Sequence, residues 1–356
     1  MPAQRQSRKK KVIAASLTPH NLKERKDNLK MAKTKKQESR EKAQEATVFD
    51  LAKSRKELYD KAYDNSELVD TCKDVVMLIE ARYGNPNGDP AMEGMPRVNS
   101  ATGEGLISPM SIKRKIRDYV AYVYDEPIYV QSGSVLNAND REIAKRAGLN
   151  VNGSGKIEIG DADKKLVPDL VHITACKTYW DVRTFGAVAT QFSEAKVASG
   201  RIYGAFQLGM GVSVDPVEPI TLDLTRCCVT TDKDSEDGNS GTMGSRSVVP
   251  YGLYVVSGRL LAQNAQKNGF TKHDFEILKE ALAHAYENDM SSMRGEVNVR
   301  GLYIFDHEKK LGNAPQWEIR DLVKVRKLTD APATRFEDYS VEIGEMPNGV
   351  TMEQVA

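Results

Sequence analysis

Between Asn85 and Val120 the sequence "NPNGDPAMEGMPRVNSATGEGLISPMSIKRKIRDYV" sets turn-forming and small polar residues directly before a run of positive charge. Its Asn-Pro, Asn-Gly, Pro-Arg and Thr-Gly-Glu-Gly steps forbid long regular elements and turn backbone amides outward. Ser108 and Pro109 then read as the cap and first turn of a helix reaching about Tyr122. Ser108 and Ser111 stand at its N-terminal end, where free amides and the helix dipole suit a phosphate. Lys113, Arg114, Lys115 and Arg117 follow and supply charge. Amides and cations without base-reading groups are the chemistry of a nucleic-acid backbone contact. By spacing alone the four basic residues read more simply as the solvated flank of a surface helix, because Ile112, Ile116, Tyr119 and Val120 share its apolar face.

Other residues offer weaker alternatives. Arg183 in "DVRTFG" is followed by Thr184, Phe185 and Gly186, so a guanidinium and backbone donors face one ligand together, or Arg183 is a structural arginine paired with Asp181. Arg246 lies in "GSRS", among residues small enough for a nucleic-acid strand to come close, or is a solvated hairpin charge. Arg294 and Arg300 bracket "RGEVNVR" and suit a phosphate or a neighbouring subunit equally. Glycine-rich phosphate cradles are missing, since no G-x-G-x-x-G or G-x-x-x-x-G-K-[ST] opens a helix, and no nucleophile sits in a recognisable elbow. Cys72, Cys176, Cys227 and Cys228 form no C-x-x-C pair and the five histidines do not gather around them, so neither a metal nor a cofactor is expected. Asp89, between Gly88 and Pro90, reads as a turn residue before it reads as a metal ligand.

The elements that must position these groups are legible in outline. A chain of 356 residues suits one large domain or two interleaved ones. Its formal charge of +1 conceals thirteen Lys/Arg against three Asp/Glu in the first forty residues, which leaves −9 for the remainder. Residues 1–70 read as a basic, polar extension, tail or docking helices, and 71–356 as the folded domain. Charge without an apolar run behind it, and no stretch able to cross a bilayer, point to a reduced, soluble, cytoplasmic protein with no membrane partner. "DVVMLIEARYG" is a strand, Ser199 to Ile220 a glycine-punctuated β region, and "ITLDLTRCCVTT" with "SVVPYGLYVVSGRLL" a long hairpin whose tip, Asp232 to Gly241, is mobile. Thr271 with Asp274 caps a helix striped by Phe275, Leu278, Leu282 and Ala285, and the strand "NVRGLYIFDH" follows. "RGLYIF" faintly echoes an RNA-recognition-motif strand, but a core strand accounts for Leu302, Ile304 and Phe305. Strand-helix at the front and strand-helix-strand at the back predict an α+β, ferredoxin-like core with large insertions.

Five blocks in fixed order, the quoted loop and helix, "DVRTFGAV", "TMGSRSVVPYGLYVVSG", "MRGEVNVRGLYIFDH" and "LGNAP", closely resemble the backbone subunit of type I CRISPR Cascade complexes, the Cas-seven family, and in particular its type I-C branch. The resemblance runs from about Asp74 to the C-terminus. It implies a modified ferredoxin-like, RRM-type palm with a helical finger insertion near 125–172 and a protruding β-hairpin thumb near 216–250. It also implies a non-catalytic subunit that polymerises head-to-tail along a CRISPR RNA and presents it to target DNA. The implied partners are further copies of itself, the Cas-five subunit, large and small Cascade subunits and a recruited Cas-three helicase-nuclease. Asn85, Asn87 and Arg97 match the family motif and by resemblance line the RNA groove, and the block match turns Lys113, Arg114, Lys115 and Arg117 from solvated charges into RNA ligands. Where the type I-C pattern reads Gly-Gln-Val-Arg-Gly this chain has "GRIYG", so Tyr203 stands at the family's arginine and Arg201 lies two residues earlier. A tyrosine stacks on a base or ribose but does not neutralise phosphate. The alternative is a type III-like ribonuclease, whose loop aspartate corresponds to Asp89.

Overall fold

The computed structural model describes residues 53–158, 166–189, 192, 201–226, 242–291 and 294–356. The basic first half of the expected extension, the hairpin tip at 232–241, Cys227 and Cys228 lie outside the described residues. The chain divides into two compact units, Met1–Lys61, of which 53–61 are helical, and Ala62–Ala356, which holds all that follows.

The second unit is built on β1 (Lys73–Gly84), eight successive residues of which are buried. A strand with one wet face alternates; β1 does not, because both faces of its sheet are covered. Val75, Met77, Ile79 and Ala81 point into one core, while Val76 and Leu78 point into another. After β1 come β2 (Glu104–Ile107), α1 (Pro109–Tyr124), α2 (Leu136–Arg146), α3 (Val167–Thr178), α4 (Trp180–Phe185), β3 (Gly186–Val188) and β4 (Arg201–Tyr203). The chain continues through β5 (Phe206–Leu208), β6 (Gly211–Pro216), β7 (Ile220–Arg226), β8 (Thr242–Leu260), α5 (Ala262–Asn268), α6 (Lys272–Ala283), β9 (Glu296–His307) and β10 (Val350–Gln354).

The sheet runs β10-β9-β1-β8-β6-β2, each neighbour antiparallel. The nineteen-residue β8 pairs with β7 at its start, β6 in its middle and β5 at its end, so one strand links the hairpin to the sheet. Ile112, Ile116 and Val120 of α1 and Phe275, Leu278 and Leu282 of α6 fill the core on one face. Segments after β9, through Ile319, Val323 and Tyr339, cover the other. A separate core of Tyr129, Ile143, Val171, Cys176, Phe192 and Ile202 holds α2 to β4 together.

The expected helix caps are present: Ser108 Oγ accepts from Ser111 N, and Thr271 with Asp274 closes a reciprocal capping box. Leu302, Ile304 and Phe305 are fully buried, as a core strand requires. The helix after Thr271 ends at Ala283. The edge strand β10 and the hairpin Val323–Lys327 with Tyr339–Ile343 have no counterpart in the sequence reading. Among the described residues no helix is long and apolar enough to cross a membrane.

Candidate nucleic-acid interface

The loop from Asn85 to Ser108 is held by its own polar residues. Asn85, 5% exposed, donates Nδ2 to Gly94 O at 2.7 Å and to Ser247 O of β8 at 3.4 Å, which ties the loop to the base of the hairpin. Its Oδ1 is buried and has no hydrogen-bond partner among the described residues. Asn87 Oδ1 accepts from Ser108 N at 2.7 Å and so fixes the helix start. Asp89 accepts from Ala91 N at 3.0 Å and from Arg97 at 3.1 Å, capping the turn at Pro90. Pro86 O receives both Ser111 Oγ at 3.5 Å and Arg294 at 3.2 Å, so the loop, α1 and the approach to β9 converge on one carbonyl.

The basic residues of α1 are not the solvated flank that spacing suggested. Lys113, Lys115 and Arg117 are each less than 9% exposed. Lys115 pairs with Asp289, whose other oxygen lies 3.0 Å from Arg294. Burial holds Lys115 below the usual lysine range against the pull of Asp289. Arg117 Nε donates to Asp181 at 2.8 Å, and that fully buried carboxylate also accepts from Tyr129 N and Val130 N. Arg114 alone faces solvent, paired with Asp118 one turn on. Lys113 donates to Gln207 Oε1 at 3.4 Å and lies 5.2 Å from the Phe185 ring centroid, with the Arg117 guanidinium 5.1 Å from the same ring. Arg97, Arg114, Lys115, Arg117 and Arg294 each have a carboxylate partner; Lys113 has none among the described residues.

Arg183 has other carboxylate partners than the Asp181 weighed from the sequence. It pairs with Asp274 at 2.9 Å and Glu126 at 3.2 Å, not with Asp181. Thr184 is buried and bonds Trp180 O, and Phe185 packs edge-on to Trp180. Gly186 and Gly204 let β3 meet β4 with no side chain between: a Cβ on Gly204 would overlap Phe185 C, Gly186 N and Thr184 O. Beside this seam Tyr203 is 65% exposed, with Arg201 exposed two residues before it. Arg246 sits on β8 opposite Leu222 of β7, half-buried in the hairpin. Arg300 stands apart on the opposite sheet face, between Glu80 and Glu337 and 4.6 Å from the Phe336 ring.

The candidate residues thus fall into two groups side by side along α1: Asn85, Asn87, Arg97, Ser108, Ser111, Lys115 and Arg294 around the loop, and Lys113, Arg117, Phe185, Gly186 and Tyr203 around the seam. A family model described as CRISPR-associated protein Cas7 matches residues 72–344, which span both groups. The chain belongs to the Cas7 family. A CRISPR-associated protein Cas7 of Haloferax volcanii is 22% identical over 300 residues, 80% of this chain and 83% of that one. Two solved structures contain similar chains. A "CRISPR RNA-guided surveillance complex, pre-nicking" has one with TM-score 0.40 and 15% identity over 66% of this chain and 78% of that chain. A "CRISPR RNA-guided surveillance complex" has one with TM-score 0.36 and 16% identity over 66% and 69%.

In this Cas7-family chain the sequence reading missed the residues that organise the cations. Asp289 is 174 positions from Lys115, and Gln207 is 94 from Lys113, so no local pattern links them. Asn268, 1% exposed, donates to both Arg183 O and Tyr203 O and binds the two halves of the seam. Its only sequence signal is a place just before Gly269 at a helix end. Among the described residues no three His, Cys, Asp or Glu side chains gather as metal ligands.

Proposed function

We propose that this chain is the RNA-binding backbone subunit of a type I, I-C-like CRISPR effector, repeated head-to-tail along one guide RNA and presenting it for pairing with target DNA. The Cas7 family match over 72–344 carries the reading. In it the strand order β9-β1-β8-β6, with α1 and α6 on one face, serves as a ferredoxin-like palm. The separate core from α2 to β4 is the finger, and β7 with the start of β8 is the thumb. Residues 1–70 act as an appended basic extension. The Cas-five subunit, large and small subunits and the Cas-three helicase-nuclease complete the assembly, which works in the cytoplasm.

The interface supports backbone contact rather than base readout. Arg114–Asp118, nearly half exposed, costs only about 0–1 kcal/mol to open, and the guanidinium groups of the partly exposed Arg97 and Arg294 reach phosphate while still paired. Buried Arg117 and Arg183 instead hold the finger against the palm and position the others. Tyr203 supplies a stacking surface. Arg246 contacts RNA from the thumb, and Arg300 serves a neighbouring subunit.

The ribonuclease alternative places a metal on Asp89, whose carboxylate is already committed to Arg97 and Ala91 N. Co-expression with a CRISPR array, nuclease footprinting of the bound RNA with magnesium present, and negative-stain microscopy test both readings. An intact guide protected at a regular repeat within a curved filament supports the backbone subunit. Target RNA cut at that repeat, and spared by Asp89→Ala, overturns it.

A further inference from the structure

Arg97, Arg114, Lys115, Arg117 and Arg294 each have a carboxylate, and Lys113 beside them has none among the described residues. It is 6% exposed, and its neighbours come from three elements: Arg117 on α1, the Phe185 ring on α4 and the Gln207 carbonyl on β5. Asp181, the partner of Arg117, is occupied by that guanidinium and by two backbone amides. Two cations therefore lie over one ring with one counter-charge between them. A neutral amide oxygen and a ring quadrupole only partly replace the water the ammonium has lost. Gln207 is itself exposed and also bonds Gly204 O at 3.3 Å, so the group holding Lys113 lies at the surface of the seam.

We propose that binding of a nucleic-acid backbone at this interface is coupled to proton uptake at Lys113, the incoming phosphate supplying the counter-charge the fold withholds. This rests on the RNA-binding reading above and adds a pH dependence to it. In the free protein the amine exchanges its proton with solvent. When a phosphate oxygen replaces Gln207 Oε1 the ammonium form is held while RNA is bound, so uptake is about 0.1 proton per site near pH 7 and approaches about one near pH 9. Arg117 stays on Asp181, so the new charge pair forms at Lys113 alone.

Burial, with Arg117 adding to it, pushes the free Lys113 down to about 8. Since its protonated fraction falls through that value, the dissociation constant rises about tenfold per engaged subunit between about pH 7 and about pH 9. The test is fluorescence anisotropy of the full chain with a labelled single-stranded oligouridylate at those two pH values and constant ionic strength. It compares the wild type with Lys113→Arg, which keeps its charge throughout, and Lys113→Gln, which has none; circular dichroism checks that each is folded. The expected result is a tenfold loss for the wild type and flat profiles for both variants, with Lys113→Gln weaker at the lower pH. A wild-type slope that either folded variant reproduces overturns the proton coupling and leaves the RNA-binding reading intact. Failure of the wild type to bind at either pH overturns both.

Discussion

Replacing Arg117 by methionine separates a positioning arginine from a nucleic-acid ligand. The Arg117 side chain is 10% exposed and that of its partner Asp181 not at all. Without it, Asp181 keeps two backbone donors, Tyr129 N at 2.7 Å and Val130 N at 3.1 Å, but loses its counter-charge in a site closed to water. Breaking a buried pair from one side costs about 3–5 kcal/mol, because the orphaned charge remains. The cation over Phe185 is lost as well, a further ~0.5–2 kcal/mol, part of which methionine's packing returns. The expected outcome is a melting temperature lowered by roughly 5–15 °C. Removing the orphaned charge with Arg117→Met/Asp181→Asn should recover part of the loss. Arg114→Met is the control: its pair with Asp118 is nearly half exposed, and its loss should cost under about 1 kcal/mol. Differential scanning fluorimetry and urea titration read both. An Arg117→Met protein that melts with the wild type yet loses RNA affinity would refute the argument and make Arg117 a direct ligand.

Lys113→Met should stabilise the fold at neutral pH. The folded value of about 8 lies below the unfolded 10.5, so the unfolded chain binds more protons between them and wild-type stability climbs over that window. The variant's advantage, roughly 1–3 kcal/mol near pH 7, should therefore shrink towards pH 10 in urea titrations, and a constant gap would contradict it. Gly204→Ala should abolish the folded state or cost more than about 3 kcal/mol, since its Cβ meets three backbone atoms. Gly244→Ala, with nothing within 4 Å, should melt with the wild type. Burial pushes Cys72 up to about 11 and Cys176 higher still, so mass spectrometry after iodoacetamide near pH 8 should find both unmodified in the native protein and both alkylated in urea.

What the sequence determined on its own was local. Ser108 with Pro109, and Thr271 with Asp274, announce helix starts because a cap is a contact across three residues. The apolar run of β1, the β-rich stretch before the hairpin and the loop of Asn, Gly and Pro were legible for the same reason, and the ordered motif blocks pointed to the family. Charge assignment was not legible. Lysine and arginine look the same in a sequence whether they face water, a carboxylate or a phosphate, and the spacing of α1 favoured water. Only the tertiary structure set Asp289 against Lys115, Asp181 against Arg117 and Asp274 against Arg183, across 174, 64 and 91 positions. It likewise left Lys113 with a neutral amide. The cost of burying a charge depends on its three-dimensional neighbours, and those are fixed by how the sheet and helices close on one another rather than by any local pattern.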